Sequence, residues 1–123
     1  KMKFLKCNHC GNIITFATDH GVPVVCCGEK MAEIRPNTTD AATEKHVPQV
    51  TREGRNVTVL VGSVSHPMTE EHSIEWIALE SSQGMQIKQL SPDAKPEASF
   101  ALAEGDTLQK VYAYCNLHGL WSD

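Results

Sequence analysis

Apolar and polar residues alternate through most of the chain beyond residue 50. In "NVTVLVG" the side chains of Val57, Val59 and Val61 fall on one side of an extended backbone, with Thr58 and Leu60 on the other. The segments "HVPQV", "RNVTVLVGSV", "SIEWIALES", "MQIKQL", "ASFALA" and "TLQKVYAYC" are rich in Val, Ile, Thr and Tyr. Gly, Pro, Asp or Ser separates each from the next, which is how short strands joined by turns read. Six or seven such strands predict an all-β sandwich. Ahead of them, "NTTDAATEKH" reads as a loop with one helical turn, capped by Thr39 or Asp40.

Residues 1–36 have a different character. "KMKFLKCNHCGNIITFATDHGVPVVCCGEKMAEIRP" is rich in Cys and Gly, lacks long apolar runs and predicts short strands and tight turns. So short a stretch buries too little apolar surface to fold unaided and needs a metal or disulfides. Pro36 closes it, giving a small stapled domain over 1–36 and a β domain over 37–123.

Composition narrows the function. Hydrophobic residues make up 41% and charged residues 21%, the balance of a globular chain. A formal charge of −4 with no basic stretch argues against a nucleic-acid or anionic-membrane binder. The apolar runs are far short of a membrane span and no signal-peptide pattern opens the chain, so a cytoplasmic protein is expected. The sequons at Asn37 and Asn56 are then chance matches. Five cysteines is an odd count, and their clustering points to metal rather than to a disulfide framework.

Cys7, Cys10, Cys26 and Cys27 form the pattern C-x2-C-x15-C-C. A C-x-x-C turn brings two thiolates onto one ion, and Gly11 supplies permissive backbone just past the second. The adjacent pair is less usual, because both sulfurs must turn inward. On spacing alone, a structural zinc and a one-electron mononuclear iron are both open. His9 and His20 read as exposed spacers, since four thiolates already fill a tetrahedral shell.

Four further histidines, His46, His66, His72 and His118, fall in the β domain with Cys115. Singly, each has a bland reading as a loop or turn residue. Together they sit at strand edges and loops, where a sandwich gathers its loops at one end. Cys115 and His118 have the C-x-x-H spacing that lets one turn offer two ligands. Five ligands exceed a closed tetrahedral zinc shell; on a six-coordinate metal they leave one position open, as a catalytic site requires.

With these residues in view, the chain resembles the desulfoferrodoxins, the two-iron superoxide reductases, over nearly its whole length. The matching motifs are "CNHCGNI", "VCCGEKM", "AATEKHVP", "VGSVSHPMTEEHSIEWI" and "YCNLHGLW". The resemblance implies a desulforedoxin-like N-terminal domain holding one iron through Cys7, Cys10, Cys26 and Cys27. It also implies an immunoglobulin-like sandwich holding a second iron through equatorial His46, His66, His72 and His118 and axial Cys115. Glu44 and Lys45 match the family's loop glutamate and lysine at the catalytic iron. The implied activity is one-electron reduction of superoxide to hydrogen peroxide, with rubredoxin as the usual electron donor and a homodimer as the assembly. Two readings compete with it: a non-catalytic iron electron-transfer protein, and a zinc-stapled module that binds another protein. Trp76 and Trp121 read as core or site-wall residues.

Overall fold

The computed structural model describes residues 1–123, and their contacts divide the chain into two units, Lys1–Arg35 and Pro36–Asp123. In the first unit β1 (Phe4–Lys6) lies between β2 (Ile13–Thr15) and β5 (Ala32–Ile34), all antiparallel. A two-stranded hairpin, β3 (Val25–Cys26) and β4 (Glu29–Lys30), stands apart from that sheet. Only Phe4, Leu5 and Cys7 are buried here, a core too small to hold three-residue strands together by itself. This is the shortage that the composition of the segment predicts.

The second unit begins with a segment that runs beside the chain's end. The Asn37 N–H donates to the Leu120 carbonyl at 3.0 Å, and the Asn37 amide pairs with the main chain of Ser122. One helical turn follows, α1 (Thr43–His46). Its N-cap is Ala42, with no side-chain cap, so the expected cap at Thr39 or Asp40 does not form. The turn starts too late in the sequence for either residue to reach its first N–H groups, and Thr39 packs at Gly119 instead.

Two antiparallel sheets make the rest. One has the order β10 (Glu97–Ala101), β7 (Asn56–Val61), β6 (Pro48–Glu53). The other has the order β12 (Gly119–Ser122), β11 (Leu108–Cys115), β8 (Ile74–Ser81), β9 (Gly84–Gln89). Their facing sides share one core: Val57, Val59, Val61, Ala98 and Phe100 from the first, Ile74, Ile77, Leu79, Val111, Ala113 and Cys115 from the second. The chain is thus mainly β, as its patterning predicts, and the valines of "NVTVLV" are all fully buried while Leu60 on the other face is exposed. No helix is long and apolar enough to cross a membrane.

A register shift separates the pairs Tyr114–Trp76 and Cys115–Ile74. Glu75 has no partner opposite, so Ile74 and Ile77 both face the core although they are three residues apart. Bulges of this kind re-aim side chains beside functional sites. Here the bulge lies in β8 and turns Ile74 inward opposite Cys115, which follows Val111 and Ala113 in the inward row at the end of β11. β12, absent from the predicted strands, returns directly and pairs Gly119 with Cys115.

Candidate metal centres

In the first unit, Cys7 and Cys10 flank the turn after β1, and Cys26 and Cys27 end β3 and begin its hairpin turn. Successive residues of a strand point to opposite faces. Cys27 escapes this with φ of 54°, a left-handed conformation that turns its sulfur to the same side as that of Cys26. Gly11, at φ 83°, supplies the bend after Cys10 that the sequence predicts. All four sulfurs lie within 4.8 Å of one another.

Their spacing identifies what they suit. The sulfurs of Cys10 and Cys26 are 3.6 Å apart, against about 2.05 Å for a disulfide. Tetrahedral thiolates on metal bonds of about 2.3 Å stand about 3.8 Å apart, close to the observed value. Main-chain N–H groups point at the sulfurs: Cys10 N–H to Cys7 Sγ and Asn12 N–H to Cys10 Sγ, both at 3.5 Å. The N–H groups of Cys10 and His9 hold the Cys7 thiol down at about 6, while hydrogen bonding with Cys10 and Cys7 pushes Cys26 up to about 12. Four crowded thiols cannot all ionise without a cation among them. His9 and His20 are exposed, and the His9 ring meets Glu29 rather than the sulfurs.

The second centre draws its donors from three places: His46 ends α1, His66 and His72 lie on the connection from β7 to β8, and Cys115 and His118 bracket the β11–β12 turn. The imidazoles form a closed ring in the order His46, His66, His72, His118. Neighbouring centroids are 4.7, 4.6, 5.1 and 4.9 Å apart, with planes steeply inclined at 74–87°. His46 and His72, at opposite corners, are 6.4 Å apart. The donor atoms of His46, His66, His72 and Cys115 lie within 4.8 Å of one another. His118 completes the set through Nδ1, 3.2 Å from His46 Nε2 and 3.9 Å from Cys115 Sγ.

Tautomers follow from the carbonyls outside this ring. His46 Nδ1–H donates to the Ala42 carbonyl and His66 Nδ1–H to the Pro67 carbonyl, each at 2.7 Å. A carbonyl only accepts, so the Nε2 atom of each neutral ring carries a lone pair and no proton. Those two lone pairs nevertheless face each other at 3.1 Å. His72 Nε2 is buried and has no hydrogen-bond partner. Such an arrangement is costly when bare, about 1–3 kcal/mol for each unsatisfied buried group. A cation resolves it at once: ligands at right angles on metal–nitrogen bonds of about 2.1 Å stand about 3.0 Å apart. The five donors fit a transition-metal ion.

The electrostatics agree. Burial pushes His66 down to about 4, and burial likewise lowers His46 and His72, so these rings stay neutral and able to ligate. Burial raises the Cys115 thiol, opposed by the N–H groups of His118 and Leu117 aimed at its sulfur. Without a metal it keeps its proton; a metal displaces that proton. Glu44 and Lys45, on the exposed side of α1, touch none of the donors, but their charges reach the site. Behind burial, Lys45 contributes to lowering His46 and His72, and Glu44 opposes it at His46. Trp121 is a site wall: it stacks on His46 at 4.9 Å and 24°, and its Nε1–H donates to the His118 carbonyl at 3.1 Å. The carbonyls of Ala42 and Pro67 are functional groups that no side-chain motif announces.

The desulfoferrodoxin family model matches residues 38–123. A desulfoferrodoxin of Clostridium acetobutylicum is 50% identical over 111 residues, covering 90% of this chain and 86% of the relative. One from Syntrophotalea carbinolica is 47% identical over 122 residues, covering 99% and 95%. Among solved structures, the superoxide reductase from Treponema pallidum superposes with a TM-score of 0.85 at 40% identity, covering 100% of this chain and 98% of that one.

Proposed function

The chain belongs to the desulfoferrodoxin family, and from that premise we propose that it is a superoxide reductase with iron in both centres. The reaction takes one superoxide, one electron and two protons to one hydrogen peroxide and releases no dioxygen. The observation that carries the proposal is the second centre: four imidazoles in a ring, plus one buried thiol, with the lone pairs of His46 and His66 facing each other and His72 Nε2 buried without a partner, as a cation among them requires. Five protein donors on a six-coordinate ion leave one position for a small anion. Iron bound there supplies the single electron that the reaction consumes.

The chain's own residues do the rest. His46, His66, His72 and His118 hold the ion without neutralising it, and Cys115 adds one negative charge and strong electron donation. Lys45 draws superoxide to the site. A unit pair at about 6 Å and an effective dielectric near 20 is worth roughly 3 kcal/mol. Carboxylates beyond a Debye length of about 8 Å are largely screened, so the local cations outweigh the net charge of −4. Glu44, exposed on α1, would close over the free position in the ferric state and move off on reduction. Protons enter from water on the side where His72 and His118 are only partly buried.

The four-cysteine unit, over residues 1–36, passes electrons from a donor such as rubredoxin, and the domain over 37–123 performs the reduction. All five cysteines are free of disulfides, which suits a reducing compartment, and we place the protein in the cytoplasm as a homodimer. The test is metal analysis and visible spectroscopy of iron-reconstituted protein, followed by anaerobic addition of superoxide. Two irons per chain and a long-wavelength thiolate-to-iron band that superoxide restores after reduction are expected. Protein that takes no iron at the histidine centre, or whose reduced centre ignores superoxide, overturns the proposal.

A further inference from the structure

Two of the four imidazoles are steered by their own ring hydrogen bonds, His46 on Ala42 and His66 on Pro67. His72 is placed differently, through its main chain. The Ser73 N–H donates to Asn116 Oδ1 at 3.0 Å, and Asn116 Nδ2–H donates to the Glu71 carbonyl at 3.0 Å. One planar amide thus grips the peptides on both sides of His72, as a residue of a parallel strand would. The Asn116 N–H adds a third bond, to the Ser73 carbonyl at 3.2 Å. The peptide groups of His72 itself go to Thr69: its carbonyl accepts from the Thr69 N–H at 2.9 Å, and its N–H donates to Thr69 Oγ1 at 3.1 Å.

Asn116 is also joined by a peptide bond to Cys115. A movement of its amide relative to its own main chain therefore changes the separation of His72 Nε2 from Cys115 Sγ. The atom at the end of this linkage is His72 Nε2, buried and without a partner. We propose that Asn116 is a positioning residue that sets His72 against Cys115, so that its amide fixes the geometry of the metal centre without touching the metal. This inference rests on the metal-site reading above.

The experiment uses the full chain and cobalt(II) as the probe, because cobalt absorption bands report coordination number and thiolate ligation without any turnover. Asn116→Ala is expected to weaken cobalt at the histidine centre by about 10–100-fold and to shift its bands. The four-cysteine centre, in the other unit, is expected to keep its own spectrum and serves as the internal check on cobalt loading, while circular dichroism checks that the β domain is folded. Asn116→Asp retains the acceptor for Ser73 but sets a carboxylate against the Glu71 carbonyl, and an intermediate loss is expected. If Asn116→Ala does not fold, the aspartate variant carries the test. In a His72→Ala background, Asn116→Ala is expected to add nothing further, since the ligand it steers is gone. Wild-type cobalt affinity and bands in either single variant, or an undiminished effect on top of His72→Ala, overturn the inference. Superoxide reactivity plays no part in these readouts, so a protein that fails as a reductase still leaves the role of Asn116 measurable.

Discussion

Replacing Gly62 by alanine tests how tightly the second centre depends on the backbone beneath it. A β-carbon at Gly62 would lie 2.7 Å from the Glu44 carbonyl oxygen, 2.9 Å from the Lys45 carbonyl carbon and 3.1 Å from the His46 nitrogen. Ordinary contact begins near 3.4 Å, so the main chain of α1 must retreat by about 0.7 Å at the tightest point. No rotamer change relieves the clash, because every atom met is backbone. The Glu44 carbonyl is held where it is by the Val64 N–H at 2.8 Å and Ser63 Oγ at 3.2 Å. Overpacking of this kind costs about 1–3 kcal/mol. At about 4–8 °C per kcal/mol for a small domain, Tm falls by roughly 5–20 °C. The effect on the centre is larger still, since His46 Nε2 faces both His66 and His118 and metal bonds tolerate only about 0.2 Å of misplacement. Calorimetry and metal analysis of Gly62→Ala are expected to show the lower Tm, loss of iron from the histidine centre, and retention at the four cysteines. Ser63→Ala, which removes one hydrogen bond without a clash, is expected to bind iron normally. A Gly62→Ala protein with wild-type Tm and a full second iron would refute this account of what seats His46.

Lys45→Ala is expected to slow superoxide capture several-fold and flatten its dependence on salt; pulse radiolysis giving an unchanged second-order rate removes Lys45 from substrate guidance. Glu44→Ala is expected to leave capture nearly intact while altering the ferric absorption spectrum, and an unaltered spectrum excludes Glu44 as a cover for the free position. Acid sensitivity follows from the buried rings: His66 is near 4 when folded and near 6.5 when unfolded, so between those values the unfolded chain binds more protons. Its contribution to stability is therefore complete above pH 6.5 and is lost as pH falls through about 4. Thermal unfolding of metal-free protein across pH 8 to 4 is expected to show Tm falling below 6.5, and a flat profile contradicts it.

Much of this was legible in the sequence because the signals were local. Alternation exposed the inward row of Val57, Val59 and Val61, and a two-residue gap placed Cys7 beside Cys10 and Cys115 beside His118. The convergence of His46, His66 and His72 from three separate positions is tertiary, and spacing alone offers no distance between them. Their common placement on loops hints at it, and motif resemblance supplies the ligand set. β12 escaped notice because four residues starting at a glycine, "GLWS", carry too short an alternation to register as a strand. The absent cap at Ala42 and the carbonyl acceptors of Ala42 and Pro67 are backbone features, indifferent to residue type. Nothing in the sequence singles out Asn116, since an asparagine in a turn usually serves its own loop.

The carbonyls that orient His46 and His66 have a consequence for how the protein acquires its metal. They align the lone pairs through bonds that belong to the polypeptide, so the imidazole set is selective in shape but not in element. Nitrogen-rich sites favour first-row divalent ions in the order that rises from manganese through iron to copper, with zinc also ahead of iron. Left to affinity, this pocket would fill with copper or zinc before iron. Correct metallation therefore depends on which ions the surroundings keep free, and a shift in cellular metal supply would silence the centre while leaving every residue in its place.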